Sequence, residues 1–297
     1  MIDHIGQMPS VAAKKFKNKQ ALTFDGQSFT FEELSNLIEK FSSSLHSLGI
    51  KEKDVVTLYA SNSWEWIVSY FSIARIGAII NPVNTMLTPS EIKHVVNDCK
   101  AKAIITSSDK VQAIINIKHE TSVNTLISFG NAPEGTESFN NLIKIENKPV
   151  QMPNIIPEDL STIGYTSGTT GHPKGAMQSH KSVIINGAMT SQLHMRGPED
   201  VVVSALPCPH VYANVLMTGM MMFGTKLVLH QTFDPLSVFK DIEKHNATIF
   251  DGVPTMFMFM LNHKEFKNAN LSSLKRCYVG GQTMPVATME AVEKAFK

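Results

Sequence analysis

Cysteine is scarce in this 297-residue chain, and the three that occur, Cys99, Cys208 and Cys277, lie far apart without a CxxC pair. An odd and dispersed set provides neither a disulfide framework nor the ligand spacing of a zinc site. The cysteine pattern therefore argues against a disulfide-stabilised or zinc-stabilised fold, and it fits a reducing compartment.

A surplus of either charge is also missing. Lys and Arg number 27, Asp and Glu number 26, the net charge is +1 at pH 7, and the charges form no long blocks. Proteins that bind polyanions carry a basic surplus or a basic patch. We therefore expect no nucleic-acid partner.

Long uninterrupted hydrophobic runs are missing as well. The most apolar stretch, 211–229, is broken by Gly219, Gly224 and Lys226, and it is too short for a transmembrane segment. The N-terminal sequence MIDHIGQMPSVAAKKF lacks the apolar core of a signal peptide. We expect a cytoplasmic protein with no transmembrane segment.

Short apolar segments alternate with segments of helical periodicity along the chain. Strands are predicted at 55–60, 103–106, 125–129, 161–166, 201–205, 226–230, 248–251 and 276–279. Between them lie amphipathic stretches with helix start signals, such as the capping-box pattern Thr88-Pro89-Ser90-Glu91. This alternation predicts an α/β fold with parallel-rich sheets flanked by helices. The polar segment 131–159 suggests a connector between two lobes, about 1–130 and 160–297.

The stretch Tyr165–Gly175 follows a predicted strand and is dense in Gly, Ser and Thr. Glycines let the backbone approach a ligand closely, and free N–H groups and hydroxyls can then surround an anion. It is not a Walker A motif, because Pro173 stands where the second Gly is needed. A flexible surface loop is the alternative to a phosphate site. The residues that predict phosphate binding are Thr166, Ser167, Gly168, Thr169, Thr170, Gly171 and Lys174.

The same stretch resembles the signature loop of the adenylate-forming superfamily, which includes acyl-CoA synthetases, aryl-CoA ligases, beetle luciferases and adenylation domains of peptide synthetases. In the segment Gly280-Gly281-Gln282, which is similar to a G-G-A-type loop of the family, Gln282 stands where a small residue is usual. Further segments are similar to family motifs along nearly the whole chain: 29–34 to T-[YF]-x-E-L, 77–84 to G-A-x-x-x-P-x-N, 206–210 to P-x-x-H, 252–255 to G-V-P-T, and 280–282 to a G-G-A-type loop.

The resemblance implies a two-step reaction of the acyl-CoA synthetase or fatty-acid–CoA ligase type. A carboxylate attacks the α-phosphate of Mg-ATP to give an acyl-adenylate and pyrophosphate, and CoA then takes the acyl group. ATP and Mg²⁺ are the implied cofactors, CoA is the co-substrate, and the partners are the small molecules ATP, CoA and a carboxylic acid. By resemblance, Thr166 to Lys174 hold the β- and γ-phosphates, and the Thr166 hydroxyl contacts the metal.

A second set of residues is assigned by the resemblance to the rest of the adenylate. His210 is expected at the entrance of the acyl pocket as the candidate catalytic residue, and an ordinary loop histidine is the alternative. Methionines in 215–223 and 255–260 suit either an aliphatic pocket or a core. The residues expected beside adenine and the acyl group are Gly280, Gly281 and Gln282, and those expected in the acyl pocket are Val253 and Pro254.

Family members continue beyond the loop matched by 280–282, into segments that carry a magnesium-binding Glu, a ribose-binding Asp and an essential Lys of a mobile C-terminal domain. We therefore expect 1–297 to be an incomplete N-terminal AMP-binding domain, truncated before the C-terminal domain and inactive or weak alone. A fatty or other aliphatic acid is the expected substrate. The alternatives are an aryl-CoA ligase, an amino-acid adenylation domain, and a non-catalytic nucleotide-binding remnant.

Overall fold

A computed structural model describes residues 2–166 and 173–296 of the chain. Strands and helices alternate along these two ranges. The strands are β1 (Gln20–Phe24), β2 (Gln27–Thr30), β3 (Val55–Tyr59), β4 (Ile79–Pro82), β5 (Ala103–Ser107), β6 (Thr125–Phe129), β7 (Glu137–Ser138), β8 (Leu160–Thr166), β9 (Lys174–Ser179), β10 (Val201–Ser204), β11 (Lys226–Leu229), β12 (Ile249–Gly252) and β13 (Arg276–Val279).

Helices connect most of these strands, and short 3-10 turns lie at Ile5–Gln7 and Lys264–Asn268. In the described ranges the α-helices are α1 (Met8–Phe16), α2 (Phe31–Ser47), α3 (Trp64–Arg75), α4 (Pro89–Asp98), α5 (Val111–Lys118), α6 (Phe139–Leu142), α7 (His180–Leu193), α8 (Val211–Phe223), α9 (Pro235–His245), α10 (Pro254–Leu261) and α11 (Val286–Ala295).

The chain forms two compact units. Segment 131–159, whose composition suggests a connector, lies inside the first unit, and the change to the second unit falls within α7. Phe139 explains this placement, because its ring is fully buried against Phe41 and Phe129. The first unit contains Met1–Lys17, Phe31–Ser61 and Glu65–Asn186, and the second contains Asn18–Thr30, Asn62–Trp64 and Gly187–Lys297.

The first unit is built on a seven-stranded sheet in the order β7-β6-β5-β3-β4-β8-β9. Neighbouring strands pair in parallel, except that β8 and β9 are antiparallel. Ile92, Val95 and Val96 of α4 pack with residues of β3, β5 and β6 in one buried cluster. The helix begins at a capping box between Thr88 and Glu91, as its sequence predicts.

The second unit is built on a six-stranded sheet in the order β13-β12-β10-β11-β1-β2, parallel except for the β1–β2 pair. Phe250 of β12 lies in a buried cluster with Val238 and Phe239 of α9 and Phe257 of α10. Because β10, β12 and β13 are parallel neighbours, the loops that follow them leave the sheet along the same edge. That edge positions one group of predicted site residues.

The predicted α/β architecture, with parallel-rich sheets flanked by helices, is confirmed. Over the two described ranges, the helices are all too short or too polar to cross a membrane. The cytoplasmic location and the exclusion of nucleic-acid partners stay predictions.

Candidate functional site

The predicted site residues fall into two groups, one in each unit. Thr166 and Lys174 belong to the first unit and are called here the phosphate half-site. The group in the second unit, called here the acyl half-site, consists of His210, Val253, Pro254, Gly280, Gly281 and Gln282. The other residues predicted to bind phosphate lie outside the described residues: Ser167, Gly168, Thr169, Thr170 and Gly171.

Strands β8 and β9 form an antiparallel hairpin that places Thr166 directly opposite Lys174. Thr166 ends β8 and Lys174 begins β9. Opposed residues of an antiparallel pair project from the same face of the sheet, so the hydroxyl and the ammonium group share a face. Both residues are exposed to solvent. The pair therefore offers a polar hydroxyl and a positive charge to an anion.

The described residues offer few ligands to a magnesium ion. In residues 2–166 and 173–296 no group of three or more His, Cys, Asp or Glu side chains is placed to hold a metal. Mg²⁺ keeps several waters and is commonly bound through substrate phosphates and one or two protein oxygens. The exposed Thr166 hydroxyl fits a single contact of this kind.

The acyl half-site lies where three parallel strands of the second unit end. Gly252 is the last residue of β12, Gly280 follows β13, and His210 follows the loop after β10. The backbone N–H of Gly280 donates to the carbonyl oxygen of Gly252 at 3.2 Å. Ligands of α/β proteins bind outside the carboxyl ends of the strands, where these loops start.

The ring of Tyr212 lies beside Gly280, in the loop after β13. Tyr212 is not among the residues predicted from the sequence. A Cβ atom on Gly280 would lie 2.7 Å from Tyr212 Cε1, so only glycine allows this approach of the ring. Gly281 has a φ of +81°, and a Cβ atom there would lie 3.4 Å from Val253 Cγ1. The structure thus brings Val253, Gly280 and Gly281 together. The sequence signal for Tyr212 is an aromatic residue two positions after His210.

His210 is the N-cap of α8. Its backbone is extended, and its Nδ1 accepts a hydrogen bond from the N–H of Tyr212 at 3.4 Å. The cap satisfies one of the free N–H groups at the helix start. Because Nδ1 accepts, the neutral ring carries its proton on Nε2. The imidazole is exposed, and its catalytic role stays a prediction.

Pro254 and Gln282 are the two remaining predicted residues of the acyl half-site. Pro254 is buried as the first residue of α10, where its missing N–H leaves no helix bond unmade. Gln282 is exposed on the loop after β13.

Five methionines of α8 and α10 are buried, which matches the core alternative for them: Met217, Met220, Met221, Met256 and Met260.

An ion pair holds the hydroxyl end of Tyr212. The Tyr212 hydroxyl donates to Asp251 Oδ1 at 3.0 Å. Arg196 Nη2 donates to both carboxylate oxygens of Asp251 at 2.8 and 3.0 Å, and both side chains of the pair are 0% exposed. Burial raises the pKa of Asp251, whereas Arg196 and Tyr212 act in the opposite direction. The carboxylate is thus committed to partners within the protein.

Two α/β units with parallel-rich sheets give this protein the architecture of the N-terminal domain of adenylate-forming enzymes. The anthranilate CoA ligase AuaEII, solved in complex with anthranoyl-AMP, matches it with a TM-score of 0.93 and 26% sequence identity, over 98% of this chain and 57% of that one. The chain belongs to the AMP-binding enzyme family, which it matches over residues 10–297.

Curated relatives are similar along almost all of this chain. It is 28% identical over 313 aligned positions to a long-chain-fatty-acid–CoA ligase of Bacillus subtilis, covering 95% of this chain and 56% of that protein. It is 29% identical over 278 positions to an indoleacetate–CoA ligase of Aromatoleum aromaticum, covering 93% and 54%. The chain thus spans about half the length of these two relatives.

Proposed function

We propose that this protein takes part in the ATP-dependent activation of a carboxylic acid. The acid is converted to an acyl-adenylate with release of pyrophosphate, and the acyl group is then transferred to CoA. Membership of the AMP-binding enzyme family supports the first step, and similarity to proteins named as CoA ligases supports the second. ATP, Mg²⁺ and CoA are the small-molecule partners in this proposal.

The pairing of Thr166 with Lys174 carries the proposal. Attack on the α-phosphate moves negative charge onto the departing pyrophosphate, so the reaction depends on positioning and charge neutralisation. Lys174 neutralises the β- and γ-phosphates, and the Thr166 hydroxyl orients them. A bound Mg²⁺ would supply electrostatic stabilisation of the phosphate charge. Thr166 is the described residue that would contact it.

In this proposal the acyl half-site binds the acyl group. Gly280 and Gly281 present backbone without side chains, and Val253 supplies an apolar contact beside them. His210 keeps Nδ1 on the N–H of Tyr212, which leaves the Nε2 proton for an oxygen of the ligand. The two ring nitrogens of His210 would therefore serve the helix and the ligand separately.

For the acid itself we propose an aliphatic chain. An amino acid brings an ammonium group, which needs a free carboxylate when it is buried. Asp251 is fully buried and already bonded to Arg196 and Tyr212, so it is not free for this role. The ring of Tyr212 beside Gly280 and the side chain of Val253 beside Gly281 offer apolar surface, which suits a hydrocarbon chain.

ATP–pyrophosphate exchange tests this function, because it reports adenylate formation without the CoA step. The full-length protein, with the C-terminal segments that residues 1–297 are expected to lack, is given Mg-ATP, labelled pyrophosphate, and one acid from a panel of decanoate, 4-coumarate, indoleacetate and alanine. We expect acid-dependent exchange that is fastest with decanoate and slowest with alanine. Lys174→Ala should lower it by about 10²-fold, through loss of one preorganised charge contact.

Lys181→Ala is the matched control for Lys174→Ala. Lys181 is an exposed lysine of the same unit, and it is bonded to Glu158 at 3.0 Å. Its loss should leave exchange at the wild-type rate. Exchange with alanine and none with decanoate would contradict the aliphatic substrate. An absence of acid-dependent exchange, or equal rates for the two lysine variants, would contradict the adenylation proposal.

A further inference from the structure

Strand β9 carries Lys174 at the edge of its sheet. It is the last strand in the order of the first unit, and β8 is its neighbour in that sheet. Residues Lys174 to Met177 are exposed. An edge strand that pairs on one side is held by fewer hydrogen bonds than an inner strand. The position of Lys174 therefore depends on what fixes β9 against β8.

Gly175 is a position where side chains of β8 approach the backbone of β9 closely. It stands opposite Tyr165 in the antiparallel register. A Cβ atom on Gly175 would lie 2.8 Å from Ile163 Cγ2 and 3.2 Å from Tyr165 Cζ. The side chains of Ile163 and Tyr165 thus lie against the β9 backbone, directly beside Lys174. An aromatic ring over a cross-strand glycine covers backbone that would otherwise be open to water.

Tyr165 is fixed at its far end as well. Its hydroxyl donates to Asp98 Oδ2, in the last residue of α4. Its ring packs against the buried cluster that contains Val95 and Val96 of the same helix. Because α4 is anchored by this cluster and by its capping box, Asp98 is a stable partner for the hydroxyl.

The hydroxyl keeps its proton under ordinary conditions. Burial and the hydrogen bond to Asp98 both raise the pKa of Tyr165 above its usual value. Tyr165 therefore remains a donor at neutral pH, and Asp98 accepts with a carboxylate oxygen. Hydrogen bonds to a charged acceptor are shorter and stronger than neutral ones.

We propose that Asp98 is a positioning residue for the phosphate half-site, because it holds the ring of Tyr165 over Gly175 and thereby fixes the strand that begins with Lys174. The inference rests on the proposed function of Lys174 as a phosphate ligand. It adds a residue from α4 that touches neither ATP nor the acid. Asp98 is exposed, so its effect is on the position of β9 rather than on the overall stability of the unit.

Two variants remove the tether and keep the ring. Tyr165→Phe deletes the hydroxyl, and Asp98→Ala deletes its acceptor. Asp98→Asn retains an oxygen that can accept, so it should restore most of the wild-type behaviour. Tyr59→Phe is the matched control, because Tyr59 lies in the same unit and its hydroxyl donates to the carbonyl oxygen of Leu87 at 2.8 Å.

Amide hydrogen exchange of residues 174–179 and ATP affinity are the two readouts. We expect the β9 amides to exchange about tenfold faster in Tyr165→Phe and Asp98→Ala, since one charge-assisted bond no longer opposes local opening. ATP affinity should fall by about three- to tenfold in the same two variants, as expected for displacement of a ligand rather than its removal. Combining both substitutions should add little, because they break one bond.

The outcomes separate this inference from the proposed function. Unchanged β9 exchange in Tyr165→Phe and Asp98→Ala, or equal acceleration in Tyr59→Phe, would overturn the inference whatever ATP does. Wild-type β9 amides that exchange without protection would also overturn it. If Lys174→Ala has no effect on ATP affinity, the proposed function fails, while the exchange data still decide whether Asp98 fixes β9.

Discussion

Gly280 is the residue at which the acyl half-site leaves least room for a side chain. A methyl group there would lie 2.7 Å from Tyr212 Cε1. The ring has little freedom to retreat, because its hydroxyl is bonded to the buried Asp251–Arg196 pair. We expect Gly280→Ala to lower the free energy of unfolding by about 1–3 kcal/mol, as overpacking of a tight site does. Chemical denaturation measures this.

Gly197→Ala is the control for that substitution. Gly197 lies in the same unit, and nothing stands within 4 Å of a Cβ atom built on it. It should change stability far less than Gly280→Ala. Removing the ring with Tyr212→Ala should relieve much of the Gly280→Ala penalty in a double-mutant cycle. Additive penalties would show that the ring is not what excludes a side chain at position 280.

At the scale of elements, strands with continuous apolar runs are predictable from sequence. The predicted bounds of β6 match the observed ones, and those of β10 differ by one residue. Such runs are typical of strands buried on both faces of a parallel sheet. Strand β9 is different, because the sequence Lys174–Ser179 contains Gly and Lys and no β-branched residue. Its strand conformation comes from pairing with β8, which local propensity does not reveal.

Strands β1 and β2 are not among the predicted strands, although the sequence between them contains a hairpin signal. Asp25 and Gly26 lie between them with φ of 46° and 75°, and an Asp-Gly pair between apolar runs is a strong hairpin signal.

The candidate site also contains residues that the sequence reveals and contacts that it does not. Strand-end glycines and Lys174 stand out in the sequence, whereas the Asp98–Tyr165 bond joins residues 67 positions apart and depends on packing.

At the scale of the whole molecule, His180 in the first unit and His194 in the second make stability depend on pH. Burial and the neighbouring His4 lower the pKa of His180 to about 4, against the opposing charge of Asp159. Burial, Arg196 and Arg276 lower the pKa of His194 to about 4. Folding therefore favours the neutral rings, while the unfolded chain binds protons below about pH 6.5.

The sign follows from this difference in bound protons. Stability contributed by the two neutral rings is present above about pH 6.5 and is lost as the pH falls towards 4. We expect a loss of up to about 3 kcal/mol for His180, and less for the more exposed His194 because water screens it. Urea denaturation at pH 7.5 and pH 5 measures the part of this loss that occurs above pH 5, about 2 kcal/mol for His180, and His180→Gln should reduce the pH dependence. Equal stability at both pH values would contradict the assignment.

Lys174, opposite Thr166 at the end of the β8–β9 hairpin, is proposed to hold the outer phosphates of ATP. Phosphorus NMR of ATP and AMP titrated with the protein tests it most directly, because each phosphate gives its own resonance. The β- and γ-resonances of ATP should shift on binding, and Lys174→Ala should weaken ATP by about 10- to 100-fold, the loss of one charge-assisted contact. AMP affinity should stay nearly unchanged. Equal weakening of ATP and AMP, or β- and γ-shifts that survive in Lys174→Ala, would contradict the account.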